Sequence, residues 1–148
     1  MPAGTFTIFR RAKPKLITGV IDLDTQTLKL ALTTNVQSIT DDFAGSSTDC
    51  RYADLTAEVA SGSGYTTGGA TLTSVTVTRS GATVTLDAAD VSWPSSTFTA
   101  KYGILYADNT NDDLIGFVDL ETGSSTGVSP SAATLSVNWN ASGIFTLT

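Results

Sequence analysis

The sequence predicts an all-β fold, an antiparallel β-sandwich or jelly roll of about eight strands with at most one short helix and an extended N-terminal arm. Three observations lead there. Short runs that alternate between apolar and polar residues recur along the chain. Glycine, serine, asparagine and proline breaks separate those runs. Threonine and valine, which suit a pleated and half-buried surface, are abundant within them. At 148 residues the chain has the size of one ordinary domain with its own core.

Residues 1–14 read as the arm and residues 15–148 as the β-sandwich domain. In the arm, T-F-T-I-F alternates like a strand and is too apolar to lie wholly in solvent. Residues 15–23 and 26–34 read as two strands joined at Asp24 and Thr25. In the second of them Leu28, Leu30 and Leu32 share one face and Lys29, Ala31 and Thr33 the other. Residues 35–48 are polar and rich in turn formers. Residues 48–59 hold the candidate helix, with Tyr52, Leu55 and Val59 at spacings of three and four and Asp49 near its start as a cap.

The stretch S-G-S-G-Y-T-T-G-G-A-T-L, residues 61–72, gathers four glycines around Tyr65 and marks the passage from the irregular first third to a run of strands. It lacks the features of a phosphate cradle, because the following segment reads as a strand and no lysine closes the loop. Strands are expected at 71–79 and 82–88 around Ser80-Gly81, with Leu72 out of step with Val75 and Val77. A further strand is expected at 87–94, where Val91 and Trp93 share a side and Pro94 ends central pairing. The longest, 97–107, changes its apolar face near Gly103, which implies a bulge or bend. Residues 114–120 form the next strand, and 133–139 with 143–147 a closing hairpin over Asn140, Ala141 and Ser142.

Composition excludes several kinds of chemistry. The chain has no histidine, which rules out a Ser-His-Asp triad, a Cys-His pair and any histidine-bound zinc or iron. Cys50 is the only cysteine, cannot form an intrachain disulfide, and reads as a small buried apolar residue compatible with a reducing cytosol. The acidic loop D-N-T-N-D-D at 108–113 offers oxygens from Asn109, Asn111 and Asp113. However, Leu114 stands where a calcium loop needs glycine and Leu120 where it needs glutamate. A carboxylate-only hydrolase would require two acids held across a cleft, and Asp22, Asp24, Asp87, Asp90, Asp119 and Glu121 are scattered over separate strands. Tyr65, Trp93, Tyr102, Tyr106 and Trp139 suit the core and its rim better than a sugar platform. The first apolar run, 16–23, is broken by Thr18, Gly19 and Asp22 and falls far short of the roughly 20 residues of a membrane span. No enzyme, no cofactor, no metal and no membrane partner is therefore expected.

Charge is unevenly placed. Residues 1–16 hold Arg10, Arg11, Lys13 and Lys15 and no acid, whereas residues 17–148 hold the other four bases against all fourteen acids, a net charge of −10. Such a distribution suits an extension that meets an acidic protein surface, and the acidic remainder disfavours nucleic acid.

Five motifs occur in order: G-Y-x-x-G-G-x-x-L (Gly64, Tyr65, Gly68, Gly69, Leu72), D-x-x-D-V-x-W (Asp87, Asp90, Val91, Trp93), Y-x-x-L-Y-x-D (Tyr102, Leu105, Tyr106, Asp108), L-I-x-x-x-D (Leu114, Ile115, Asp119) and W-x-x-x-G-I-F-x-L (Trp139, Gly143, Ile144, Phe145, Leu147). Together with I-D-L-D at 21–24, this set resembles a family of small virion structural proteins of tailed bacteriophages, encoded among the head and tail genes. The resemblance covers about the last two thirds of the chain and implies a virion component without catalytic residues. With the basic, apolar arm it leads to the expectation of a capsid decoration (cement) protein. Such a protein would be synthesised in the bacterial host cytoplasm, bind the major capsid protein on the capsid exterior, and stabilise the shell as a homo-oligomer, first of all a trimer. Contacts with the capsid or a neighbouring subunit are expected at Phe6, Ile8, Phe9, Arg10, Arg11, Lys13 and Lys15. The alternative is a tail or head-fibre component binding host surface glycans, although the repeats and heptads of long fibres are missing.

Overall fold

The computed structural model of the chain describes residues 4–43 and 49–148. Among them ten strands form three antiparallel sheets: β1 (Thr7–Ile8), β2 (Leu28–Thr33), β3 (Ala70–Thr71), β4 (Thr76–Ser80), β5 (Thr83–Asp87), β6 (Val91–Ser96), β7 (Tyr102–Ala107), β8 (Leu114–Asp119), β9 (Ala133–Val137) and β10 (Phe145–Leu147). The largest sheet has the order β1-β8-β7-β2-β3, the second β10-β5-β4, and the third pairs β6 with β9. One helix, α1 (Ala12–Ile17), and one 3-10 turn (Tyr52–Asp54) complete the regular structure of the described residues. The fold is therefore the all-β, sandwich-like class read from the sequence.

The central pair is β2 with β7, in register over six residues from Leu28 opposite Ala107 to Thr33 opposite Tyr102. Leu28, Leu30 and Leu32 are buried as their alternation predicts, but Ala31 and Thr33 on the opposite face are buried as well. A strand covered on both sides loses the simple in–out code. The same covering explains β7. Gly103 stays in register with Leu32 and Val118, and the irregularity in pairing with β8 falls between Leu105 and Tyr106. One core joins the sheets, with Leu86 and Phe145 from the second and Val91, Trp93, Leu135 and Val137 from the third.

Several expectations change. Residues 15–23 are not a strand: α1 takes residues 12–17, with Pro14 in its first turn, where helical N–H groups lack partners anyway. Asp22 then caps the turn, its carboxylate accepting from the N–H groups of Asp24 and Thr25, so no hairpin forms there. The helix expected at 48–59 shrinks to the 3-10 turn, and its first residue, Thr48, lies outside the described residues. The chain beyond it is held extended along β2, with Thr34 N–H bonded to the Ala57 carbonyl and Val59 N–H to that of Leu32. Backbone pairing with a sheet outweighs the weak helical spacing of three side chains.

Residues 71–79 divide between β3 and β4, which belong to different sheets, and that crossing is why Leu72 falls out of step. Residues 97–101 precede β7 rather than belong to it. The closing hairpin is also two strands of different sheets, β9 against β6 and β10 against β5. The hairpin read at Ser80-Gly81 does form, with Ser80 opposite Thr83. Pro94 sits inside β6 at the register shift between Trp93 and Ser96, where its missing N–H leaves no gap in the ladder.

Candidate interaction surface and its bracing

The N-terminal segment, read from the sequence as an arm, joins the body from residue 4 onward. Gly4 N–H bonds to the Asp119 carbonyl, β1 pairs with β8, and Phe9 N–H bonds to the Ile115 carbonyl. Gly116 makes this contact possible: a Cβ there would lie 2.4 Å from the Thr7 carbonyl oxygen and 2.6 Å from the Phe6 ring. Phe6 stacks on Phe145 at 5.5 Å between centroids. Phe9, with 0% of its surface exposed, packs between the rings of Phe43 and Phe117.

The seven expected contact residues thus divide into three groups. Phe9 is consumed by the core, and Lys15 is turned inward, its ammonium donating to the Asp113 carboxylate and the Asp49 carbonyl. Arg10 pairs with Asp41 at 2.9 Å and Arg11 with Asp42 at 3.7 Å, while Lys13 is exposed beside them. Phe6 and Ile8 are half-buried and line, with Lys13, a groove of about 810 Å³ whose other wall is residues 142–147. The structure therefore brings a groove of mixed apolar and polar lining next to Arg10, Arg11 and Lys13. Ion pairs this exposed contribute about 0–1 kcal/mol, so Arg10 can exchange Asp41 for an acid on another protein at little cost.

Outside the groove lining, buried and half-buried polar groups tie loops to the sheets. Glu58 is the centre of one group: its carboxylate accepts from the Tyr52 hydroxyl, from the Tyr65 hydroxyl at 2.6 Å and from Gly68 N–H at 2.8 Å. Tyr65 accepts in turn from Leu32 N–H at 3.0 Å, and Tyr106 donates to the Gly68 carbonyl at 2.7 Å. The glycine-tyrosine stretch is thereby clasped onto β2 and β7. Burial first, and for Tyr52 and Tyr65 next the hydrogen bond to Glu58, push all three phenols well above the ordinary tyrosine value. Their contribution to stability is whole below pH of about 10 and declines as pH rises above it, because the unfolded chain then sheds protons that the fold retains. Alkaline titration followed by circular dichroism should show a cooperative loss of structure beginning near pH 10. Tyr65→Phe should make that pH dependence shallower, and an unchanged slope would mean that Tyr65 ionises freely in the fold.

Lys101 forms a second brace. Its ammonium donates to both Asp119 oxygens, at 2.7 and 2.8 Å, and to the Glu121 and Ser124 carbonyls at 2.8 and 2.7 Å. Sequence reading missed Glu58 and Lys101. A lysine within the apolar run A-K-Y-G-I-L-Y was a visible sign for the second; the first had none.

The other candidate sites resolve into structure. In the acidic loop the Asn109 side-chain oxygen accepts from the N–H groups of Asn111 and Asp113, an Asx turn, and the described residues hold no cluster of three metal-type ligands. Asp90 accepts from Trp139 N–H, Asp119 from Glu121 N–H and Glu121 from Gly123 N–H, so these carboxylates cap loops. Tyr65, Trp93 and Tyr106 are buried and Tyr102 and Trp139 half-exposed, so these five do not together form one exposed surface. Cys50 is buried, and burial pushes its thiol up to about 12, so it is inert at neutral pH. No protein-family model, curated protein or solved structure matches the chain.

Proposed function

We propose that this chain is a non-enzymatic structural component of a tailed-phage virion. In this reading it is a capsid decoration protein that seats on the major capsid protein from outside as a homo-oligomer, a trimer in its simplest form. The supporting observation is the placement of Arg10, Arg11 and Lys13 side by side by the folding of β1 and α1 onto β8, with Lys13 exposed and Arg10 and Arg11 in exposed pairs with Asp41 and Asp42 that acids of a partner can replace. A prearranged basic face binds an acidic shell without first having to order a flexible arm. The motif residues themselves serve the fold: Asp90 of one accepts from Trp139 N–H of another, Asp119 of a third anchors Lys101, Tyr65 and Gly68 both donate to Glu58, and Tyr106 donates to the Gly68 carbonyl.

Shells depleted of the protein provide the test. The wild-type chain is expected to bind them saturably and raise the temperature at which they rupture. Arg10→Ala with Lys13→Ala should weaken binding at least tenfold at low salt, a difference that shrinks as salt rises, while leaving thermal stability within about 1 kcal/mol. Deleting residues 1–14 is a poor probe, since it removes Phe9 and Ala12 from the core. Wild-type binding by the double variant would exclude the strip, and absence of shell binding by the wild type would exclude the decoration role.

A further inference from the structure

We propose that the corner closing α1, with Ile17 and Val20 at its tip, is an apolar anchor that enters an acid-rimmed apolar depression on the protein against which Arg10, Arg11 and Lys13 dock. The inference rests on the shell-docking reading and adds to it the chemistry of the receiving surface.

Two apolar side chains stand out from this corner: Ile17 is 86% exposed and Val20 46%. Their neighbours behave otherwise, since Leu16 packs against the core and Ile21 is buried within it. The run L-I-T-G-V-I therefore holds an inner apolar pair that the fold uses and an outer pair that it leaves in water. Exposed apolar side chains scattered singly are common on any surface. Here two lie three residues apart and directly follow the basic cluster of residues 10–15.

The backbone of the corner is held in place. Gly19, at φ of +74°, turns the chain back at the C-terminus of α1, and the Thr18 N–H and hydroxyl both donate to the Pro14 carbonyl at 2.9 Å. Ile21 N–H bonds to the Lys15 carbonyl at 3.1 Å. The Val20 carbonyl accepts from the Gln26 side-chain amide at 3.1 Å and from that of Asn109 at 3.4 Å. These bonds claim the main chain and leave the Ile17 and Val20 side chains to solvent. β-branched side chains on a held backbone have few rotamers to lose on docking, so their burial is gained at a small entropic cost.

The helix also sets what surrounds the anchor. Lys13 and Ile17 are four residues apart within α1, so they stand on one face, and both are exposed. Arg10 and Arg11 lie at the other end of the helix, in their pairs with Asp41 and Asp42. A surface that receives this segment offers acids to the bases and, about 6 Å along the helix axis from the acid that meets Lys13, apolar area to Ile17.

A protein surface supplies both, and the other acceptors of cationic segments do not. Nucleic acid would leave Ile17 and Val20 against phosphate and water. An anionic membrane takes up apolar side chains, but stable attachment needs a longer amphipathic face or two anchoring signals, whereas α1 has six residues and the acidic remainder of the chain is repelled by anionic lipid.

Binding of the full chain to depleted shells across a salt series tests the anchor. Ile17→Ser should weaken binding about tenfold at low and high salt alike, because burial of an apolar side chain is not screened, whereas the loss caused by Arg10→Ala with Lys13→Ala shrinks as salt rises. Ile17→Lys should weaken binding too, although it adds a cation beside Lys13. Both Ile17 variants should melt with the wild type, since the side chain is exposed. Wild-type affinity for Ile17→Ser, tighter binding by Ile17→Lys, or a loss for Ile17→Ser that fades with salt would overturn the anchor and leave the shell-docking reading standing. Wild-type binding to phosphatidylglycerol vesicles that Ile17→Ser abolishes would overturn it in favour of a lipid surface. Absence of shell binding by the wild type would overturn that reading and the anchor with it.

Discussion

Gly69→Ala is expected to lower stability by about 3 kcal/mol or more, a large share of the roughly 5–15 kcal/mol that holds a domain together. Two penalties act together. Gly69 has φ of +75°, where a side chain is strained, and a Cβ there would lie 2.0 Å from the Leu30 carbonyl oxygen and 2.7 Å from the Ala31 Cα. Neither neighbour can yield, since both belong to β2, an interior strand of the largest sheet held between β7 and β3. The glycine-tyrosine clasp would have to lift from β2, loosening Gly68 from Glu58 and from Tyr106. Gly81→Ala is the matched control: its φ is +60°, but nothing lies within 4 Å of the added methyl, so only the backbone penalty of about 1 kcal/mol remains. Urea denaturation of the two variants separates the effects. Equal losses would mean that close approach of the chain at Gly69 is unimportant.

Asp113→Ala is expected to cost about 3–5 kcal/mol, the usual consequence of removing one member of a buried ion pair. The Asp113 side chain is 1% exposed and accepts from Lys15 on α1 and from the Asn109 side chain at 3.1 Å. Without it the Lys15 ammonium is left partly buried without its carboxylate, and α1 loses its charged tether to the start of β8. Asp41→Ala, which breaks only the exposed pair with Arg10, should change stability by no more than about 1 kcal/mol. If both variants melt at the same temperature, Lys15 and Asp113 are no more coupled than surface charges. Because α1 carries Lys13 and begins beside Arg11, Asp113→Ala should also weaken shell binding although Asp113 touches no partner.

What the sequence disclosed depended on whether a segment's partner was near in the chain. The hairpin of β4 and β5 was legible because its turn and both strands are contiguous, and β2 because its leucines alternate. The fate of residues 15–23 was not, since it is set by Asp113, 98 residues away from Lys15. The extended path of residues 57–59 likewise depends on β2, and the placement of β9 and β10 in separate sheets on β6 and β5. In the candidate site, the basic cluster was plain from composition, but the inward turn of Phe9 and Lys15 needed Gly116, Phe117 and Asp113 to be brought beside them. Local pattern encodes which residues form strands, and long-range packing decides which of their faces remain free.

A cryo-EM map of the intact particle gives the most direct test of the central claim, that this small β-body is a rigid fitting fastened to the head by a fixed basic face. Expected is density for the domain on the outer surface of the head, with Arg10, Arg11 and Lys13 turned toward the major capsid protein and Phe9 still inside its own core. Density at the tail or fibres instead, or a head-bound domain with that face turned to solvent, would contradict it.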